Sequence, residues 1–155
     1  MKFFGARIKG KYSRRIFDSD KIGIPIRNLT IERIRITNRG IEVVEKHLKR
    51  FVGGLEKPEE IMIERLRRIV VGELKATRQD LNFYAHELRE FVRYKNLGFI
   101  FGEPSNPTDA FELWQNAHTA TLEDYKMKEN RFSLRENPLY HAEAAWYIIR
   151  EYEFE

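Results

Sequence analysis

Cysteine is absent from the 155-residue sequence. Disulfide frameworks, thiolate zinc sites, iron–sulfur clusters and a cysteine nucleophile are excluded with it, since each requires sulfur. Any metal must be held by His, Asp or Glu. Long apolar runs are missing too: stretches such as residues 97–101 fall far short of the roughly 18 to 20 residues that cross a bilayer, so no membrane span is expected. Lys2, Arg7, Lys9 and Lys11 leave no apolar segment for a signal peptide near the start. The sequence also lacks a Gly-rich phosphate loop, a Gly-x-Ser-x-Gly elbow and an aromatic RNA-recognition motif. It shows no internal repeat and no low-complexity linker.

What is present describes a folded chain. Hydrophobic residues make up 42% and aromatics 13%, too rich for disorder although a third of the chain is charged. At this length roughly two-thirds of the unfolded surface can be buried, which predicts a single domain over 1–155. Within it, residues 1–37 read as a basic, β-containing segment and 38–155 as a helical core. Charge is uneven: residues 1–50 hold 14 Lys/Arg against 5 Asp/Glu, a balance of +9, and the remainder hold 14 against 19, a balance of −5. The basic half suits phosphate-rich or acidic partners, and solvated charge accounts for such a half equally well.

The expected class is mainly α, about five helices with a short N-terminal β ribbon. Residues 29–36 (Leu-Thr-Ile-Glu-Arg-Ile-Arg-Ile) alternate apolar and polar side chains and read as a strand pairing with part of residues 3–17. After Gly40 the period becomes helical. One helix is expected from Ile41 to Phe51, stopped at Gly53-Gly54, and a second from about Pro58 towards Gly72. Thr77 caps a third that ends before Gly98, with Leu81, Tyr84, Ala85, Leu88, Phe91, Val92 and Lys95 as its core stripe. Thr108 is the expected cap of a fourth, from Asp109 to about Met127. Asn137-Pro138 has the residue types of a cap and first helical position for a last helix to about Tyr152.

Three of the four histidines fall beside carboxylates on these helices. His86 and Glu90, four apart, share a face with Arg93 nearby, opposite the expected core stripe; the spacing suits a metal pair or a base with its orienting carboxylate, and equally an ordinary surface pair. His118 lies on an apolar face with Phe111, Trp114, Leu122 and Tyr125, with Thr121 and Asp124 close by, so its imidazole needs a partner or a ligand role. His141 stands in the first turn of the last helix. The His-Ala-Glu at 141–143 matches the start of a zinc deaminase signature but lacks the later Pro-Cys-x-x-Cys; His86-Glu87 begins like a zincin helix, but position 90 is Glu. The remaining set, His86, Glu90, His118, Asp124 and His141, can serve acid–base cleavage of a phosphodiester or hold a divalent metal.

Four stretches carry a family resemblance: residues 39–48 (Arg-Gly-Ile-Glu-Val-Val-Glu-Lys-His-Leu), residues 80–94 (Asp-Leu-Asn-Phe-Tyr-Ala-His-Glu-Leu-Arg-Glu-Phe-Val-Arg-Tyr), residues 114–125 (Trp-Gln-Asn-Ala-His-Thr-Ala-Thr-Leu-Glu-Asp-Tyr) and residues 139–141 (Leu-Tyr-His). Together, over roughly residues 30–145, they resemble the C-terminal toxin domains of bacterial polymorphic toxins of the Rhs and contact-dependent-inhibition type. The resemblance implies an antibacterial effector exported as the tip of a larger carrier, acting in the target-cell cytoplasm, often as a nuclease, and neutralised in the producer by a cognate immunity protein. The expected activity is thus nucleic-acid cleavage by the His/acid set, with Arg14, Arg15, Arg33, Arg35 and Arg93 on the phosphate backbone. Action on a nucleotide cofactor, or a non-enzymatic helical binding module, are the alternatives.

Overall fold

The computed structural model describes residues 7–130, 133, 134 and 136–153, the last three as backbone. Among them are five helices and one two-stranded antiparallel ribbon near the N-terminus, the mainly α class expected. The ribbon pairs β1 (Arg7–Lys9) with β2 (Ile16–Asp18), with Ile8 opposite Phe17. The helices are α1 (Asn38–Lys49), α2 (Lys57–Val70), α3 (Arg78–Asn96), α4 (Pro107–Asp124) and α5 (Ala142–Glu153).

The chain divides into two compact units. Unit one comprises the described part of Met1–Thr30 with Arg89–Glu129; unit two comprises Ile31–Leu88 with the described residues from Asn130 onward. The basic N-terminal segment is therefore shared: residues up to Thr30 are built into unit one and the rest into unit two.

The expected strand over 29–36 does not form. Its apolar spacing slips from two to three between Ile31 and Ile34, and a turn forms there, the Ile34 N–H donating to the Ile31 carbonyl at 3.1 Å. Ile31 is thereby buried, and Ile34 and Ile36 pack on the core of unit two. That core is aliphatic: Ile41, Val44 and Leu48 from α1 meet Met62, Ile63 and Leu66 from α2, with Phe83, Tyr84 and Ala144. α2 packs on both α1 and α5. Gly40 is required by a close approach, because a Cβ there would overlap the Tyr84 hydroxyl, which accepts the Thr37 N–H at 3.2 Å.

Helix ends follow local chemistry. Thr77 and Asp80 cap α3 reciprocally, the Asp80 N–H donating to Thr77 Oγ1 and the Thr77 N–H to Asp80 Oδ2. At the other end Gly98 takes φ +100°, and the Phe99 N–H reaches back to the Tyr94 carbonyl at 2.8 Å, the glycine stop expected there. α4 starts earlier than expected. Asn106, not Thr108, is its cap, accepting the N–H groups of Thr108 and Asp109, because Pro107 behind it is preset for the first helical position. α5 starts later. Asn137 accepts the N–H groups of Leu139 and Tyr140, but Asn82 donates to the Pro138 carbonyl at 2.9 Å, which removes the acceptor that a helix through Ala142 would use.

The core stripe expected for α3 is also corrected. Leu81, Leu88 and Phe91 are only half-buried and Val92 and Lys95 are exposed, whereas Asp80, His86, Glu87, Glu90 and Arg93 are buried along with Phe83, Tyr84, Ala85 and Tyr94. The face assigned to water is therefore interior, and its charged groups require partners.

Candidate active site

Unit one has little aliphatic core; Phe17, Ile22 and Ala120 form its cluster. Its order comes from polar groups on α4, every residue of which from Asn116 to Asp124 is buried. A helix buried on all sides must find a partner for each polar side chain. Asn116 accepts the Asp18 N–H at 2.9 Å, which fixes β2 on α4. Thr121 donates to the Ala117 carbonyl at 2.7 Å. Glu123 takes the tip of the β1–β2 hairpin: its carboxylate accepts the N–H of Ser13 at 2.7 Å and of Tyr12 at 3.2 Å. A Cβ at Gly10 would collide with that carboxylate, so the tip closes around it only with glycine.

Anchoring the hairpin positions Arg15, the residue before β2. Its Nε donates to Thr119 Oγ1 at 3.1 Å and its Nη2 to Gln115 Oε1, while its guanidinium lies 5.3 Å from the centre of the Trp114 ring. Trp114, Gln115, His118 and Thr119 share one face of α4, at spacings of one and four. The imidazole of His118 stacks on Trp114, with centroids 4.5 Å apart and an interplanar angle of 16°. Its two nitrogens face two carboxylates: Nδ1 is 3.4 Å from Glu90 Oε2 and Nε2 is 3.4 Å from Glu129 Oε2. The same Glu129 oxygen lies 3.4 Å from Arg15 Nη1. Burial disfavours charge on the imidazole, but hydrogen bonding to Glu129 and Glu90 and their negative charges outweigh it, so the His118 pKa is raised. Glu90 is buried to 2% side-chain exposure, whereas Glu129 keeps 26%. Glu129 is thus partly exposed as a side chain, although the Oε2 that faces His118 is itself buried.

A second charged cluster, further along both helices, is organised differently. Arg93 is fully buried; it donates to both Asp124 and Thr121 and to the carbonyls of Ile22 and Ile24. Asp124 also pairs with Arg89 at 3.0 Å and accepts the Arg27 N–H at 2.7 Å. Burial lowers the Arg93 pKa, and the Asp124 charge and hydrogen bond oppose that shift. Every atom of this cluster serves to tie the segment 22–29 to α3 and α4.

The residues singled out in the sequence thus fall into distinct places. Glu90, His118 and Arg15 come together. Asp124 and Arg93 pair with each other in the closed cluster. His86 is buried on α3, one turn before Glu90, in the part of the helix that belongs to unit two. His141 also belongs to unit two, just ahead of α5, where its Nδ1 accepts the Glu143 N–H at 3.2 Å. Arg33 and Arg35 are exposed in unit two; Arg14 is exposed at the hairpin tip with φ +65°. Sequence reasoning missed Glu129 and Glu123. Glu129 lies in the polar stretch after α4, where no periodicity links it to His118. No protein family, curated protein or solved structure matches the chain.

Proposed function

We propose that this chain is an antibacterial effector domain of the polymorphic-toxin kind and that it cleaves nucleic acid, with His118 as the acid–base residue. One observation carries the reading: a buried imidazole held between two carboxylates, with an arginine and an indole face beside it. Nucleic-acid cleavage calls for these groups. Glu90 fixes the ring through Nδ1 and stabilises its charge, which leaves Nε2 on the side of the partly exposed Glu129. As the phosphorus–oxygen bond breaks, the protonated ring gives its proton to the departing oxygen, and the proton of the attacking hydroxyl or water leaves to solvent. Arg15 offsets charge on the phosphoryl oxygens. Phe111, exposed and 6.0 Å from Trp114 by ring centroids, extends the indole into an aromatic surface on which a base can stack.

Glu90 and His118 are also of the residue types that could ligate a divalent cation. Two features favour the acid–base role: the raised His118 pKa favours the protonated ring over the lone pair a metal needs, and Arg15 already sets a positive charge beside Glu129. Delivery as the tip of a carrier, action in the target-cell cytoplasm and a cognate immunity protein complete the proposal. They are supported by the four stretches of residues that resemble such toxins.

The test is induced expression in a bacterium of the wild-type chain and of His118→Gln, with total RNA and DNA run on gels. Growth arrest with degraded nucleic acid, abolished by the substitution, is expected. Arrest with intact nucleic acid would instead indicate a nucleotide cofactor as target, and arrest unaltered by His118→Gln would indicate a binding module.

A further inference from the structure

One oxygen of Glu129 occupies an unusual position. Oε2 sits 3.4 Å from Arg15 Nη1 and 3.4 Å from His118 Nε2, so a single anionic oxygen is shared between a guanidinium and an imidazole beside the Trp114 ring. These are the contacts that a phosphoryl oxygen of a bound phosphodiester would make with a phosphate clamp and an acid–base residue. The carboxylate is also the displaceable member of the group. Glu129 lies beyond the end of α4, past Lys126 at φ +55°, in a stretch without regular structure; its Oε2 is buried against the two cations, while a quarter of the side chain as a whole meets solvent. Glu90, on the other side of the ring, is buried within a helix.

We propose that Arg15 and His118 form an anion-binding subsite for a phosphoryl oxygen, that Glu129 fills it in the free protein, and that an incoming phosphate displaces Glu129. Charge is conserved in the exchange. A monoanionic phosphodiester in place of Glu129 replaces one negative charge beside Arg15 and His118 with another, with the carboxylate turned to water. The site thus closes on itself without substrate and admits only ligands whose oxygen competes with a carboxylate already in place. This inference rests on the proposed reading of Arg15 and His118 as the phosphate-facing pair.

The experiment is a titration of the full chain with inorganic phosphate at constant ionic strength, followed by the ring signals of His118 in NMR. A self-occupied site weakens apparent affinity by the fraction of molecules in which it is open. Glu129→Gln, which removes the charge and keeps the shape, is therefore expected to bind phosphate about 10-fold more tightly than the wild type. Adding Arg15→Gln to that variant is expected to abolish the binding. Phosphate affinity unchanged or weakened by Glu129→Gln would overturn the proposal. Should that variant not keep the wild-type circular dichroism spectrum, the carboxyl carbon of Glu129 in the wild-type chain is the readout: it must shift with phosphate, and a signal that stays put as His118 responds overturns the proposal equally. Tighter phosphate binding in a chain that cleaves no nucleic acid would keep the subsite and remove the nuclease reading; cleavage with no gain from Glu129→Gln would do the reverse.

Discussion

Two charged clusters draw on the same pair of helices, and they differ in what surrounds their anions. Asp124 is fully enclosed, with Arg93, Arg89 and the Arg27 N–H on its oxygens. Glu129 brings one oxygen to 3.4 Å from each of two cations and keeps a quarter of its side chain in water. The fully enclosed carboxylate serves the fold, whereas the partly exposed one is the member that the proposed exchange would move. The presence of charge in the interior does not by itself mark a site; here the exposure of the carboxylate side chain distinguishes the two clusters.

The comparison is sharpened most strongly by substituting the closed cluster. Asp124→Asn removes the charge that compensates fully buried Arg93, and a loss of about 3–5 kcal/mol is expected from breaking a buried pair on one side, read from the midpoint of urea unfolding. A loss below 1 kcal/mol would mean that the cluster is not the anchor described. Glu123→Gln comes next. It takes the charge out of the hairpin tip, which costs about 1.5–3 kcal/mol for charged hydrogen bonds, and amide exchange at Tyr12 and Ser13 should accelerate before that of α1. Uniform acceleration along the chain would contradict a local role.

The smallest effect contrasts the His118 site with the Arg65–Asp80 pair by pH. In unit two, burial alone would raise the carboxyl pKa of Asp80, but the Arg65 side chain and the Thr77 backbone and hydroxyl donors outweigh it and the pKa is lowered. Its contribution to stability is present above the ordinary carboxyl value and is lost as pH falls through the lowered one. His118 has the opposite sign: its raised pKa gives a contribution that is complete below the ordinary histidine value and is lost as pH rises through the raised one. Wild-type stability should therefore decline at both ends, with Asp80→Asn flattening the acid side and His118→Gln the alkaline side. A variant that flattens the other limb would reverse the assignment of charges.

Much of the architecture was legible in the sequence, because the signals were local. Gly72 and Gly98 take positive φ where the helices stop, and Thr77 caps α3, as their residue types demand. The failures came where a distant group intervened. Asn82 takes the Pro138 carbonyl, so the Asn137-Pro138 pair makes a turn instead of a helix start. The face of α3 judged to be wet is interior because its charged residues are neutralised by partners far away in sequence: Asp80 by Arg65, Arg93 by Asp124. His118 was found because its place on an apolar helix face is periodic information. Glu129, which completes its surroundings, follows the end of a helix, and no spacing rule reaches across that end.

The central claim is that His118 performs chemistry on nucleic acid while Asp124 holds the fold. Its most direct test is the cleavage rate of labelled RNA and DNA oligonucleotides by purified wild-type chain and by His118→Gln, each compared at a temperature where circular dichroism shows the same helical content. The account predicts that the folded His118→Gln chain cleaves about 10²- to 10⁴-fold more slowly, the contribution of a positioned acid–base group. Equal rates for the two folded chains would contradict it.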